Sequence, residues 1–151
     1  MEIERKFLVK SCPSDIEKYS FISMEQTYIS TSPTIRLRRE NEKFVLTVKG
    51  SGLLSREEFE LEITKEQYDN LILKRETPFV VKKRYKIPLY DNLVAELDVY
   101  DGELKGLKTV EVEFNTESEA NGFVSPSWFG EDVTMDRRYK NTSLSIYGIP
   151  K

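Results

Sequence analysis

The sequence predicts an α+β fold that consists mainly of antiparallel β-strands, with eight strands closing into a tunnel-like barrel and a few short helices outside it. Apolar and charged residues alternate with a period of two along most of the chain. Turn signals separate several of these alternating segments. The eight predicted strands cover residues 1–10, 24–31, 34–40, 43–50, 54–63, 79–88, 93–100 and 107–115.

Short turn sequences join the middle strands as hairpins. Proline, glycine and asparagine favour turns because they restrict or extend the accessible backbone angles. The second to fifth strands are therefore predicted to follow one another directly, through turns at Ser32–Pro33, Asn41–Glu42 and Gly50–Gly52.

Three short helices and a C-terminal helix are predicted outside the barrel. Pro13 opens the first. Thr64 and Thr116 each begin a capping box, in which a threonine is followed three residues later by Gln or Glu. Residues 125–132 are expected to form a loop, and residues 136–146 to form the C-terminal helix.

Length and composition indicate one globular domain, residues 1–151, with its own hydrophobic core. No apolar run approaches the ~20 residues that span a bilayer, and the N-terminus does not resemble a signal peptide. A single cysteine, Cys12, cannot form an intramolecular disulfide. The sequence therefore predicts no membrane association, a reducing cytoplasmic location and a packing role for Cys12.

The charged residues limit the chemistry available to this chain. A formal net charge of −3 gives no indication of non-specific binding to long nucleic acids. The chain has no histidine, which excludes Ser-His and Cys-His nucleophilic catalysis and the usual imidazole zinc sites. A metal site would have to be built from oxygen ligands, which favour Mg²⁺, Mn²⁺ or Ca²⁺.

Like charges share one face of nearly every predicted strand, because residues at i and i+2 point the same way. Such alternation normally means one solvated and one buried face. Here the charges are segregated by sign within a strand, although like charges repel and a solvated face would mix them. If these faces line a barrel, its lumen has an acidic and a basic region, suited to divalent cations and phosphate oxygens. The grouped residues are Glu2, Glu4 and Lys6; Arg36 and Arg38; Glu58, Glu60 and Glu62; Lys82 and Arg84; Glu96 and Asp98; and Glu111 and Glu113.

The ordered set of charged motifs resembles the CYTH superfamily, also called triphosphate tunnel metalloenzymes. The run from Glu2 to Lys6 fits the ExExK signature of that superfamily, which is weak by itself. The match becomes specific through the motifs that follow it in order. These are Arg36–Arg38 (RxR), Thr47–Gly50 (the lysine strand), Glu58–Glu60 (ExE), Lys82–Tyr85 (KxR), Glu96–Tyr100, Val110–Phe114 and the C-terminal element Asp136–Asn141.

The resemblance implies hydrolysis of the terminal phosphate of a small triphosphate, with Mg²⁺ or Mn²⁺ as cofactor. Inorganic triphosphate is the expected substrate, and ATP and other nucleoside triphosphates are alternatives. The resemblance implies catalytic roles for Glu4, Lys6, Glu111 and Glu113. It implies metal binding by Glu2, Glu4, Glu60, Asp98, Glu111 and Glu113. It implies phosphate binding by Lys6, Arg36, Arg38, Lys49, Arg56, Lys82, Arg84 and Arg138.

Other functions stay open at this stage. A class IV-like adenylyl cyclase would use the same metals, but the His-Phe element that precedes ExExK in those enzymes has no counterpart here. A non-catalytic module that binds polyphosphate or a nucleotide is a further alternative. Arg5 and Lys83 lie out of phase with the charged faces and are expected at the surface. An apolar outer face of the barrel would need cover, which is compatible with a homodimer.

Overall fold

The computed structural model describes residues 1–151 and is built mainly of antiparallel strands. The ten strands are β1 Glu2–Val9, β2 Phe21–Thr31, β3 Thr34–Glu40, β4 Lys43–Lys49, β5 Ser55–Arg56, β6 Glu58–Ile63, β7 Val80–Pro88, β8 Val94–Tyr100, β9 Lys108–Glu113 and β10 Phe129–Asp132. The three α-helices are α1 Lys65–Ile72, α2 Glu117–Asn121 and α3 Asn141–Tyr147. Single 3₁₀ turns lie at Ile16–Lys18, Gly102–Leu104 and Arg137–Tyr139.

The strand pairings form a ring. Neighbouring strands follow the order β10-β1-β9-β8-β7-β2-β3-β4-β6, and every pair is antiparallel. One residue, Glu57, separates β6 from β5, and β5 pairs with β1 through Glu2↔Arg56 and Ile3↔Ser55. The predicted eight-stranded barrel is therefore confirmed, with β5 and β6 together forming one interrupted strand of its wall.

A tenth strand replaces part of the predicted loop at residues 125–132. β10 pairs with the second half of β1, through Phe7↔Asp132 and Val9↔Phe129. A Cβ atom at Gly130 would lie 3.1 Å from the carbonyl oxygen of Leu8, so glycine permits this close approach. The loop prediction is wrong because a four-residue strand is too short to show a period of two.

The C-terminal helix is shorter than predicted. Residues Arg137–Tyr139 form a 3₁₀ turn, and α3 begins only at Asn141. Lys140 between them has extended backbone angles, φ −64° and ψ 142°, which break a continuous helix. This break determines which basic side chain of the tail reaches the interior of the barrel.

The hydrophobic core lies mainly outside the barrel wall. Ile3, Phe7 and Val112 are buried between the outer faces of β1, β8 and β9 and the segment that contains α2 and β10. Fully burying each such side chain contributes about 1.5–3 kcal/mol. A smaller cluster packs α1 against β3 and β4, and Leu144 of α3 packs with Val80 and Tyr100 at one end of the barrel.

Ile3, Leu37 and Val112 are buried on the outer side of the wall, whereas Phe59 is not. Phe59 of β6 is 58% exposed, because α1 covers Phe44 of the neighbouring strand but does not extend to Phe59. Arg5 is not a simple surface charge. Its guanidinium donates to the carbonyl oxygens of Ala120 and Phe123 at 2.9 and 3.2 Å, and it pairs with Asp132 at 2.7 Å.

Two further predictions concern Cys12 and membrane association. Cys12 is exposed, so the predicted packing role is wrong. None of the helices has the length and apolar character that crossing a membrane requires.

Candidate functional site

The barrel encloses a polar cavity of about 190 Å³. Of its 23 lining residues only 4 are hydrophobic, so the lumen can solvate ions rather than an apolar ligand. The predicted site residues that line it are Glu2, Glu4, Lys6, Arg36, Arg38, Lys49, Arg56, Glu60, Arg84, Glu111 and Glu113. Glu4, Arg38, Lys49, Arg84 and Glu111, which come from five different strands, all line this one cavity.

Three carboxylates from three strands converge in this cavity. Oxygen atoms of Glu2, Glu58 and Glu113 all lie within 4.8 Å of one another. Glu2 comes from β1, Glu58 from β6 and Glu113 from β9, so closure of the barrel creates the cluster. Glu58 was not among the predicted metal ligands. Glu60, which was, is the acceptor for the Thr47 hydroxyl at 3.4 Å.

The acidic groups of the cavity repel one another. Burial and the charges of Glu111 and Glu2 raise the pKa of Glu4 well above its usual range. Burial and the charge of Glu2 also raise the pKa of Glu58 and of Glu113. Glu58 and Glu113 form no ion pair, and the all-oxygen donor set of the cluster fits a hard divalent cation.

Burial opposes the ionisation of Glu2, but the charges of Lys49 and Arg56 lower its pKa. Glu111 is a second exception among these acids. Burial opposes its ionisation, but the nearby charges of Lys6 and Arg84 lower its pKa below the usual range. Arg84 Nη2 lies 3.6 Å from Glu111 Oε1. Glu111 therefore loses its proton more readily than Glu4, and it lies between the acidic and the basic parts of the cavity.

Arginines of β3 and β7 form the first cation group, which consists of Arg36, Arg38 and Arg84. Arg38 forms an ion pair with Glu40 at 2.9 Å, and Arg36 donates to the Thr47 hydroxyl at 3.2 Å. Burial and the charges of Arg36 and Arg84 lower the pKa of Arg38 to about 10. The buried Nε atoms of Arg36 and Arg38 have no hydrogen-bond partner. These cations therefore have donors and charge left for an anion.

A buried ion pair network holds Arg84 in place. Asp98 accepts hydrogen bonds from Arg84 Nε at 2.8 Å and from Nη2 at 2.9 Å. Lys82 Nζ lies 2.8 Å from the same carboxylate. Burial lowers the pKa of Lys82 to about 8, although Asp98 opposes this shift. Lys82 and Asp98 are fully buried and do not line the cavity. Lys82 had been predicted to bind phosphate, and Asp98 to bind metal.

The geometry can be compared with known proteins. The family model for the CYTH domain matches residues 1–139 of the chain.

The chain belongs to the CYTH domain family.

This CYTH domain is similar to two inorganic triphosphatases. It is 43% identical over 148 residues to the protein of Nitrosomonas europaea, covering 96% of this chain and 97% of that protein. It is 33% identical over 146 residues to the protein of Acetivibrio thermocellus, with coverages of 95% and 92%. The crystal structure of an inorganic triphosphatase matches it with a TM-score of 0.72 and 38% identity, covering 100% of this chain and 97% of that one.

The C-terminal segment of the CYTH domain contributes a different basic residue from the one predicted. Arg138 lies outside the cavity, because its guanidinium folds back onto Asp136 of the same 3₁₀ turn at 2.6 Å. Lys140, two residues later, lines the cavity instead. Sequence periodicity could not distinguish the two, because the helix break at Lys140 rotates the side chains that follow the turn.

Other lining residues were not predicted as site residues. Glu58 shares its strand face with Glu60, so the same period of two could have identified it. Tyr28 and Thr34 line the cavity from the hairpin of β2 and β3. Neither carries a charge, so the segregation of charges by sign gave no signal for them.

Proposed function

We propose that this chain hydrolyses the terminal phosphoanhydride bond of a small triphosphate, with inorganic triphosphate as its preferred substrate. The observation that carries the proposal is one cavity within the barrel in which a carboxylate cluster adjoins the first cation group. A polyanion held between divalent cations and guanidinium groups is the arrangement that phosphoryl transfer requires. The relatives named inorganic triphosphatase support the same activity.

The basic side chains of the cavity position the phosphate chain. Arg36 and Arg38 offer planar donor forks to pairs of phosphate oxygens, and Arg84 is already oriented by Asp98. Lys6 and Lys49 add single charges. Because the transition state of phosphoryl transfer is loose, fixed positions and charge stabilisation account for most of the catalysis.

The carboxylate cluster fits Mg²⁺ or Mn²⁺. Glu2, Glu58 and Glu113 would hold the ion, with Glu4 and Glu111 beside them. When bound, such an ion neutralises charge on the phosphate oxygens and orients them. Glu58 enters the proposed set in place of Glu60, and Asp98 leaves it because it is bonded to Arg84 and Lys82.

The hydrolytic step needs no covalent nucleophile from the protein. A water molecule oriented by a carboxylate such as Glu113 attacks the terminal phosphorus in line with the bridging oxygen. The new P–O bond forms as the bridging P–O bond breaks. Orthophosphate and pyrophosphate leave, and the proton lost by the water passes to solvent or to a product oxygen.

Phosphate release from inorganic triphosphate tests this proposal. The pure protein should release orthophosphate with Mg²⁺ or Mn²⁺ and none in excess chelator, and activity should return when metal is added back. Chromatography of the ATP reaction should find no cyclic AMP. Full activity in chelator would rule out the metal-dependent mechanism, and binding without turnover would favour a non-catalytic module.

We predict that inorganic triphosphate has a kcat/KM at least ~10-fold higher than that of ATP, equivalent to about 1.4 kcal/mol of transition-state preference. Most residues that line the lumen are carboxylates and cations, which bind metal ions and phosphate oxygens rather than a base or a ribose. Steady-state kinetics of both substrates with the same metal measure this ratio. A preference for ATP, or strong selection among the four nucleotides, would contradict it.

Assembly and location are part of the proposal. The exposed side chains of Phe59 and Leu61 share the outer face of β6, and a homodimer that covers them would remove this apolar surface from water. Light scattering in solution distinguishes a dimer from a monomer. A cytoplasmic location is proposed from the single cysteine, which leaves the fold independent of disulfides.

A further inference from the structure

A second group of cations lines the cavity beside its C-terminal segment, and it consists of Lys49, Arg56 and Lys140. Only one carboxylate pairs with this group. Glu2 Oε1 lies 2.9 Å from Lys49 Nζ and 3.6 Å from Arg56 Nε. Glu2 is also one of the three acids that would hold a metal ion. The charge of Lys49 also acts on Glu4, Glu58 and Glu113, so the positive charge that the protein leaves without a negative neighbour is that of Lys140.

Lys140 is the member of this group without a partner. It forms no ion pair and no side-chain hydrogen bond, whereas Lys49 and Arg56 both reach Glu2. Burial and the charges of Arg56, Arg137 and Lys49 lower the pKa of Lys140. Each of the charged neighbours that affect it is positive. An anion placed beside Lys140 would relieve this repulsion.

The backbone holds Lys140 in this position. Lys6 of β1 donates from its ammonium group to the carbonyl oxygen of Tyr139, the residue directly before Lys140. The helix α3 begins directly after Lys140, and its residue Leu144 is buried against Val80 and Tyr100. The segment is thus fixed on both sides, which lowers the entropy lost when the lysine binds a ligand.

We propose that Lys140, together with Arg56, forms an anion subsite for the substrate phosphate farthest from the hydrolysed bond, and that Lys140 is specificity-determining for inorganic triphosphate. The inference rests on the proposed function. In inorganic triphosphate the far phosphate is terminal and has an additional ionisable oxygen. In a nucleoside triphosphate the α-phosphate is esterified at that position and has one charge fewer. An unpaired lysine binds the more highly charged group better.

The test compares Lys140→Met with Lys140→Arg and with Lys105→Met, which removes an exposed lysine outside the cavity. For Lys140→Met, the ratio of kcat/KM for inorganic triphosphate to that for ATP should fall about 5- to 10-fold. The change should come from KM for inorganic triphosphate, with kcat retained. Lys140→Arg should keep most of the ratio, and Lys105→Met all of it.

Calorimetric titration of inorganic triphosphate in chelator separates this inference from the proposed function. Lys140→Met should weaken binding, and Lys105→Met should not. If the wild-type protein binds but never turns over, and Lys140→Met still weakens binding, the proposed function fails while the subsite stands. An unchanged dissociation constant and ratio in a Lys140→Met protein with wild-type melting temperature overturn the subsite. An equal loss for both substrates overturns its role in specificity.

Discussion

Replacing Glu4 by glutamine is expected to lower kcat for inorganic triphosphate by about 1000-fold without destabilising the fold. Glu4 lines the cavity beside Glu111, and burial and the charges of Glu111 and Glu2 raise its pKa. Because Glu4 holds its proton more strongly than an ordinary carboxyl group, the neutral glutamine is expected to cost little stability in the absence of metal. It cannot provide the negative charge that a divalent cation requires of this cluster.

Kinetics and thermal unfolding of Glu4→Gln should be measured together. Glu62→Gln is the matched control, because Glu62 lies on the same β6 face as Glu58 and Glu60 but does not line the cavity. The control should keep wild-type kcat. A Glu4→Gln protein with near wild-type turnover would exclude Glu4 from the catalytic machinery.

Glu111→Gln should differ from Glu4→Gln in its stability. The charges of Lys6 and Arg84 lower the pKa of Glu111, so the negative charge of Glu111 stabilises the fold. The negative charge of Glu4 does not. Without the charge of Glu111, Lys6 and Arg84 have less negative charge beside them. Activity and melting temperature should fall together in Glu111→Gln, whereas activity alone should fall in Glu4→Gln.

Strand periodicity is sufficient to predict which face of the barrel wall a residue occupies. Arg36 and Arg38 must share a face if they lie in one strand, and the same holds for Glu111 and Glu113. The segregation of charge by sign identified that face as the lumen. The prediction succeeded because side-chain alternation follows from backbone geometry and not from tertiary contacts.

Periodicity does not give the depth of a residue within the lumen. Lys82 and Asp98 occupy the predicted face, but they are fully buried in an ion pair rather than lining the cavity. Their partners come from neighbouring strands, and the register of those strands sets how they meet. Likewise, whether an outer apolar residue such as Phe59 is covered depends on where α1 packs.

The tail illustrates a second limit. The resemblance assigned Arg138 to the site, within a helix predicted over residues 136–146. The actual backbone contains a 3₁₀ turn and an extended residue, and Lys140 lines the cavity. Local hydrogen bonds within the turn, including those from Arg138 to Asp136, favour this geometry.

Asp98→Asn is expected to lower kcat/KM for inorganic triphosphate by about 100-fold. Asp98 is a positioning residue, because it contacts Arg84 and Lys82 and does not reach the cavity. Asparagine keeps the shape but loses the charge and one of the two oxygens that hold Arg84. The guanidinium would then be free to turn towards Glu96 or Glu111, which it already approaches at 3.5 and 3.6 Å.

Loss of this buried carboxylate also leaves the Lys82 cation unpaired and leaves Arg84 with only its longer contacts to Glu96 and Glu111, at a cost of about 3–5 kcal/mol in folding free energy. The double variant Lys82→Met/Asp98→Asn removes the unpaired lysine and should recover part of the stability but not the activity. Asp132→Asn is the matched control, because Asp132 pairs with Arg5 at 2.7 Å outside the cavity and should affect stability alone.

In an Arg84→Ala background Asp98→Asn should have little further effect on kcat/KM, since the two residues act as one unit. If the folded Lys82→Met/Asp98→Asn protein keeps the wild-type kcat/KM, Asp98 stabilises the barrel and does not position Arg84 for the reaction.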